Sequence, residues 1–289
     1  MEGQCDRWFC GGLVVMLLVV GLAHRAWSGE LDDVRQSVRT SENKKSSEKE
    51  RGKSLKHSND HSHDDCDDGN PFGNAIGSLL FVSITAPFWG PYAALEDDLS
   101  IQTAMVTRPY MDAPYARQLQ QKDGSIPPLF GRIQLQQLSD LDDLTAIQGQ
   151  VLFETPWRLG VDTSLSRWEE RLTGNKDHLW LGDFNLVYRF AESDRWQFRS
   201  GIGMNWLNDK AGTDTGFNFT YGVDFYPKRP WVLSTTFDLG NIGKAGLFHN
   251  QSTIGLAWDR VEVFTGYDVY RIGRGGDLHG WISGVRLRY

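Results

Sequence analysis

Histidine and serine side chains in the second half of the chain are the first residues whose types suggest chemistry. A histidine base beside a serine nucleophile is the usual arrangement of hydrolytic catalysis, and His249 and Ser252 are three positions apart. Residues three apart on a strand point to opposite faces, so this pair has poor geometry for proton transfer. Ser164 and Ser200 also lack the G-x-S-x-G context of a nucleophile elbow. The sequence therefore predicts no catalytic site.

A second group of candidate ligands lies near the N-terminus. Soft and hard metal donors are concentrated there at His57, His61, His63 and Cys66. Their spacing does not match a closed zinc module, so the prediction is a hydrophilic, His-rich tail, and a chelating tract is the alternative. No cofactor is predicted for the protein.

Charge and motifs exclude several other classes of function. The net charge of −7 does not fit a general nucleic-acid binder. The glycine-rich stretch 272–277 resembles a phosphate loop only superficially, because no helix follows it to bind an anion. We interpret it as a loop between two strands.

The first 128 residues are divided by composition. Residues 1–28 are predicted to be a signal peptide, with an apolar run from Gly11 to Leu22 and cleavage after Ala26-Trp27-Ser28. Residues 29–70 are highly charged and are predicted to be a disordered tail. Residues 71–128 are interpreted as an irregular segment that is periplasmic, packed as a plug, or lying at a membrane interface. This range includes the apolar run from Ala75 to Ala86.

Residues 129–289 show alternating apolar and polar positions, which indicates strands with two different faces. About ten such runs recur, an even number, as bacterial barrels require. Their connections alternate in predicted length. Short turns such as Ala191–Asp194 alternate with longer loops such as Ser166–His178 and Asn208–Thr215. Short periplasmic turns and long outer loops are typical of an antiparallel, up-and-down transmembrane β-barrel.

One face of these strands is charged and the other is apolar. In a membrane barrel the charged face lines the lumen, where buried charges need partners of opposite sign. The predicted lumen charge network consists of Arg158, Asp162, Asp183, Arg189, Arg199, Asp224, Asp238, Glu262, Arg286 and Arg288.

Large aromatic residues of the apolar face are concentrated at both ends of the strands. Pairs such as Trp180 and Phe190 are ten positions apart, which corresponds to about 20–25 Å along the membrane normal at a tilt of ~40°. That separation matches two girdles at the membrane interfaces. The predicted girdles are Trp157, Trp180, Phe190, Trp196, Trp206, Phe217, Phe225, Trp231, Trp258, Tyr267, Trp281 and Tyr289.

The last strand carries a family resemblance. Trp281, Val285, Leu287 and Tyr289 alternate with polar residues, and the chain ends on an aromatic residue. This segment resembles the C-terminal strand of bacterial outer-membrane β-barrel proteins. The resemblance implies an all-β transmembrane barrel in the outer membrane, contacts with outer-membrane lipid, and recognition of the last strand by the barrel-assembly machinery. It also implies that the C-terminus, and with it the N-terminal tail, is periplasmic.

The function predicted from these features is structural or that of a narrow channel, without catalysis, nucleic acid or any identifiable protein partner. Two alternatives stay open at this point. One is an outer-membrane lipid-modifying hydrolase, although lipid A deacylase barrels have a closely set His and Ser that this chain lacks. The other is a soluble exported barrel that binds an apolar ligand, which would require the apolar face to point inward.

Overall fold

The barrel and two short upstream segments make up the part of the protein described by a computed structural model. The described residues are 29–39, 88–91, 93, 129–172, 175–193, 195–273 and 275–289. The predicted signal peptide, the His-rich tract and most of residues 71–128 lie outside them. The described residues include no helix that is long and apolar enough to cross a bilayer.

Ten antiparallel strands close into one barrel in which each strand pairs with its sequence neighbours and β1 pairs with β10. The ten strands predicted from the alternation are confirmed. In chain order they are β1 (Phe130–Ser139), β2 (Leu144–Glu154), β3 (Leu159–Leu172), β4 (Asn175–Glu192), β5 (Trp196–Asp209), β6 (Gly212–Phe225), β7 (Trp231–Ile242), β8 (Ala245–Trp258), β9 (Val261–Ile272) and β10 (Gly276–Arg288).

Closure depends on the two ends of the chain segment that forms the barrel. The register pairs Arg132 with Arg288 and Ser139 with Trp281. The backbone N–H of Tyr289 donates to the carbonyl of Gly131 at 2.8 Å. This pairing closes the sheet, so each strand has a hydrogen-bonded neighbour on both sides. We call the end with Phe130 and Tyr289 the lower end, and the opposite end the upper end.

The predicted alternation between short and long connections is wrong. All nine connections are two to five residues long. Most residues of the predicted loop from Ser166 to His178 instead extend β3 and β4 into a hairpin. The hairpins at the upper end therefore project past the upper aromatic girdle as sheet rather than as loops.

The two faces are oriented as the membrane prediction requires. Leu186 and Phe184 point outward with exposed fractions of 55% and 50%, whereas Arg199 points inward and is 6% exposed. A continuous apolar belt on the outside of a closed sheet needs lipid around it. The alternative of a soluble barrel with an apolar interior and a charged exterior is therefore wrong.

A helix occupies part of the segment that was predicted to be disordered. Residues Glu30–Arg39 form α1, and Leu31, Val34 and Val38 on one side of it are buried. The spacing of three and four residues puts these side chains on one helical face. The disorder prediction for residues 29–70 is therefore wrong for α1. It failed because three apolar residues among ten are too few to stand out in a charged segment.

α1 lies at the upper end of the barrel. Its Val38 carbonyl accepts a hydrogen bond from the N–H of Lys244, between β7 and β8. Tyr289 is at the lower end. The prediction placed the N-terminal tail and the C-terminus on the same side of the membrane, but α1 and the C-terminus lie at opposite ends of the barrel.

A short helical turn at residues 88–91 contacts the outside of the wall. Phe88 lies 5.5 Å from Phe190, 6.2 Å from Phe219 and 6.0 Å from Tyr221, measured between ring centroids. These three side chains belong to the outer face. For residues 88–91 the position is thus on the wall and not inside the lumen, so the plug interpretation does not hold for them.

The outward orientation of the apolar residues can be tested by introducing a charge, which should lower the folding free energy most in the middle of the membrane. Leu186→Arg places a cation in the middle of the apolar belt and should destabilise the folded barrel by about 2–4 kcal/mol. The matched control is Leu141→Arg, because Leu141 is 79% exposed in the connection above β1. Urea titration in phospholipid vesicles measures both, and equal stability of the two variants would contradict the orientation.

Candidate functional site

The lumen is the candidate site, and it is built in layers. The lower part contains ion pairs, the middle contains amides and a histidine, and the upper part is apolar. The side chains lining all three layers are predominantly buried. The charges predicted to line the lumen thus form ion pairs in the lower part, whereas the upper part of the lumen is apolar.

The lower layer consists of charged side chains that pair inside the barrel, mostly between neighbouring strands and in part across the lumen. Glu262 is fully buried and lies 2.7 Å from Arg286 and 2.5 Å from Arg288. Asp224 pairs with Arg199 and lies 3.1 Å from Arg132. Such pairs offset the large cost of removing each charge from water. Glu262 and its arginines lie on the neighbouring strands β9 and β10, whereas Asp224 of β6 also reaches Arg132 of β1, a strand that is not its neighbour.

A β-bulge brings one further acid into this layer. The β4–β5 register shifts between Arg189 and Ala191. Phe190 therefore points outward, while Glu192 turns inward to pair with Arg189 at 3.1 Å. The sequence analysis placed Glu192 in the predicted turn Ala191–Asp194, and strict alternation of the strand would have put it on the lipid face. Bulges of this kind redirect side chains next to a break in pairing.

The ten predicted lumen residues are all inside, although they do not form one network. Arg158 lies in the turn between β2 and β3, with a positive φ of 68°, and is buried there. Asp183 accepts hydrogen bonds from Ser164 and Asn185 in the middle layer. Asp162 accepts from Gln150 at 2.9 Å. The lower-layer charges that the sequence reading missed are Arg132, Glu154 and Glu192.

The middle layer is centred on His249. Its Nδ1 lies 2.7 Å from Asp238 and its Nε2 lies 2.9 Å from Asp268. The ring stacks on Tyr270 at a centroid distance of 3.7 Å. Because carboxylates occupy both ring nitrogens, neither nitrogen is available to activate a nucleophile.

Ser252 lies on the other side of the wall from His249. Its hydroxyl is 2.9 Å from that of Thr235 on the outer face. The two residues weighed as a base and nucleophile are therefore separated by the sheet, as their spacing predicted. His279 is also outside, where its Nδ1 is 2.9 Å from the Tyr267 hydroxyl.

Glutamine side chains complete the middle layer. The Gln136 side chain accepts from Gln134 and Gln251, both at 2.6 Å, and donates to Gln148 at 2.8 Å. Arg286 donates to Gln134 at 2.7 Å and so joins this chain of amides to the lower layer. A buried polar network of this kind is stable only when its members are satisfied. The sequence reading did not single out these residues.

The upper layer is a hydrophobic core inside the barrel. Inward side chains near the upper end, including Trp168, Leu179, Leu181 and Leu207, are at most 2% exposed and form one cluster with the buried face of α1. Each buried aliphatic side chain of α1 contributes on the order of 1.5–3 kcal/mol relative to exposure. The helix therefore acts as the lid of this core.

Ion pairs hold the last turns of α1 against the strand ends. Arg35 pairs with Asp177 and lies 2.9 Å from Asp209, and Arg39 lies 2.7 Å from Asp209 and 3.0 Å from Asp214. Burial by itself would raise the pKa of Asp209, but hydrogen bonds and charges from Arg39 and Arg35 lower that pKa to about 2. The hydrogen bond from Arg35 likewise lowers the pKa of Asp177.

The first turn of α1 lies in an acidic environment. Burial, followed by the nearby charges of Asp140 and Glu170, raises the pKa of Glu30 to about 7. One buried carboxylate oxygen of Glu30 has no hydrogen-bond partner. The ionised form of Glu30 is thus disfavoured where the helix is seated.

The predicted aromatic girdles lie on the outer face at both ends of the belt. At the lower end Trp196 stacks on Phe225 at 4.0 Å, and Arg260 lies 5.7 Å from the Tyr289 ring. At the upper end the Trp206 indole covers Gly182, where a β-carbon would come within 2.4 Å of the ring. Trp157, Trp231, Trp258, Phe217 and Trp281 are exposed, and Trp180, Phe190 and Tyr267 are half-buried.

Breaking the lower layer should strongly destabilise the barrel. Glu262→Gln leaves Arg286 and Arg288 buried without their shared carboxylate, and we expect a loss of about 3–5 kcal/mol of folding free energy. Glu169→Gln is the control, because Glu169 forms a surface pair with Lys176 and fully exposed pairs contribute little to stability. Urea titration with heat-modifiable gel migration measures the difference, and similar losses in both variants would contradict the assignment.

Seating of α1 should weaken as pH rises from about 4.5 to 7. The folded-state pKa of Glu30 is raised, so its ionisation penalty is absent below the ordinary value of 4.5 and complete above about 7. At pH 8, Glu30→Gln should make a cysteine at position 34 react about three to ten times more slowly. The effect is moderate because solvent partly screens the charge of Glu30.

The assay uses Val34→Cys in a chain whose Cys5, Cys10 and Cys66 are replaced by serine. Its maleimide reaction rate is divided by that of Gln36→Cys, on the exposed side of α1, which cancels the pH dependence of the thiol. Asp32→Asn is the control for Glu30→Gln, because Asp32 is exposed. A flat ratio between pH 5 and pH 8 in the parent chain would refute the role of Glu30.

Comparison with known proteins gives distant likenesses to solved structures and no match in sequence. No protein-family model matches the sequence, and neither does any curated protein. Among solved structures, Ail of Yersinia pestis, determined in a phospholipid bilayer nanodisc, is 11% identical with a TM-score of 0.33 over 55% of this chain and 99% of that chain. The N-terminal β-barrel domain of Pseudomonas aeruginosa OprF is 13% identical with a TM-score of 0.27, over 55% and 97% of the two chains.

The translocator domain of the autotransporter NalP from Neisseria meningitidis is 11% identical, with a TM-score of 0.27 over 64% of this chain and all of that domain. At such identities and TM-scores these likenesses concern the barrel fold and carry nothing about function. In fold, the chain is similar to outer-membrane β-barrel proteins.

Proposed function

We propose that the protein is a non-enzymatic outer-membrane barrel with a structural role, and that its lumen is closed to solutes. Buried, mutually paired side chains along the inner face support this proposal most directly. A water-filled pore leaves its lining residues accessible to solvent, whereas Trp168, Leu179, Glu262 and Asp268 are inaccessible in this barrel.

Closure in this proposal comes from two unlike barriers in series. The apolar layer with α1 excludes water and ions at the upper end, because an ion entering it would lose its hydration shell without gaining ligands. In the lower layer each guanidinium group is committed to a carboxylate, as Arg199 is to Asp224. A permeating ion would have to displace those partners, so the narrow-channel alternative requires movement of both layers.

In the proposed structural role, the barrel is anchored in the membrane by its outer surface. The outer belt and its two girdles fit lipid, and the connections between strands are only two to five residues long at both ends. The orientation that we propose puts the lower end and Tyr289 in the periplasm, as the last strand implies, and α1 on the outer side. Recognition of that strand by the barrel-assembly machinery belongs to the same proposal.

Planar-bilayer recording tests the closed lumen. The purified full chain should give no steady current at moderate voltage. Arg35→Glu with Arg39→Glu turns the ion pairs of α1 into repulsions and loosens the lid. Combined with Glu262→Gln, which weakens the lower layer, these changes should give brief openings, because both barriers in series are then weakened. Lys210→Glu is the control: Lys210 is an exposed cation at the same end, 3.8 Å from Asp177. A steady ohmic conductance of the unmodified chain would overturn the proposal.

A further inference from the structure

The backbone nitrogen of Gly29 lies against a buried carboxylate at the upper end. It donates to Oε1 of Glu170 at 2.6 Å, and the side chain of Glu170 belongs to a residue that is only 3% exposed. The N–H groups of Glu30 and Leu31 donate to the same carboxylate at 3.0 and 3.2 Å. Glu170 thus caps α1 from another element, and the nitrogen of Gly29 is the closest of its three donors.

Glu170 lacks a side-chain cation. Within the described residues, no Lys or Arg lies within ion-pair distance of it, whereas Glu30, Asp33, Asp140 and Asp277 contribute further negative charge to the same region. Arg35 and Arg39 are committed to aspartates at the other end of the helix. A buried carboxylate among acids needs a positive partner. Among the described residues, the nitrogen of Gly29 is the one group in contact with Glu170 that can gain a positive charge.

The sequence places a leader cleavage site at this nitrogen. Ala26-Trp27-Ser28 has the small–x–small form after which leaders are cut. Hydrolysis of the Ser28–Gly29 bond by a leader-removing endopeptidase consumes one water molecule. It leaves a carboxylate on Ser28 and an ammonium group on Gly29. The same atom that donates a single amide hydrogen bond before cleavage therefore carries a full positive charge and three donors after it.

We propose that removal of the leader creates the Gly29 α-ammonium group that pairs with Glu170, and that this ion pair seats α1 and closes the upper end. The inference rests on the proposed closure by α1 and adds what triggers it. Before cleavage, an amide at Gly29 offers Glu170 one neutral hydrogen bond. After cleavage, a charge-assisted bond forms, which is about twice as strong as a neutral one.

Two measurements test this ion pair. The first is mass spectrometry of the N-terminus of the protein isolated from membranes, which should give Gly29 with a free amino group. The second compares refolded full mature chains that begin at Gly29 with chains that retain residues 23–28. Each is made with Glu170 and with Glu170→Gln, and each carries Val34→Cys and Cys66→Ser. Heat-modifiable migration confirms that every chain has folded.

The four chains form a thermodynamic cycle, in which the N-terminus and residue 170 are changed separately and together. With Glu170 present, the modification rate of the Val34→Cys chain should be about tenfold lower, relative to Gln36→Cys, for the Gly29 start than for the extended start. With Glu170→Gln that difference should disappear, and Glu170→Asp should restore part of it. If Glu170 only had a structural role, it would lower the modification rate by the same factor in the chain that begins at Gly29 and in the extended chain.

The outcomes separate this inference from the proposed function. Equal protection of both starts with Glu170, a difference that survives Glu170→Gln, or an N-terminus elsewhere than Gly29 would overturn the ammonium–carboxylate pair while leaving closure by α1 intact. Rapid modification of the Val34→Cys chain in every version would instead show that α1 does not close the barrel, and both proposals would fail.

Discussion

The surrounding lipid is the constraint on which the rest of this structure depends. A closed sheet in a bilayer can show only apolar side chains to the outside, so its charged residues have to be inside. Leu186 and Arg199 illustrate the two sides of the wall. The pairing of β1 with β10 closes the sheet and so creates the lumen. The inverse arrangement would suit a soluble barrel and would leave the present belt without a partner.

Charges enclosed in the barrel need partners of opposite sign close by. In the lower layer, each of two carboxylates is shared by two arginine side chains. Glu262 serves two arginines and Asp224 serves two more. Sharing reduces the number of buried ions needed to hold the strands together, but it also makes the layer sensitive to the loss of any acid. Such a layer also ties strands together around the barrel, as Asp224 of β6 does with Arg132 of β1.

The upper end meets the same constraint in a different way. Its inner face is apolar and would be exposed to water at the barrel mouth without a cover. α1 supplies that cover with Leu31, Val34 and Val38, while Arg35 and Arg39 lie toward the acidic strand ends. The amphipathic helix therefore joins an apolar core to an ionic rim. Its N-terminus is capped by Glu170 of the wall rather than by a residue of its own.

The sequence by itself determined the strand number, the closed antiparallel class and the orientation of the two faces. These follow from a strict period of two and from aromatic residues at both strand ends, and both are local patterns that hold over many strands. The ten predicted lumen charges follow from the same parity. Their inward position was predictable for this reason, even for Arg158, which lies in a turn.

Only the tertiary structure decided which charges meet and where the lumen is apolar. Partners such as Arg132 and Asp224 lie on strands far apart in sequence, so their pairing depends on closure. The inward turn of Glu192 depends on a bulge, which breaks the period that the sequence reading relied on. The place of α1 could not be read from its own residues, because a short amphipathic helix acquires a position only from the surface that buries it.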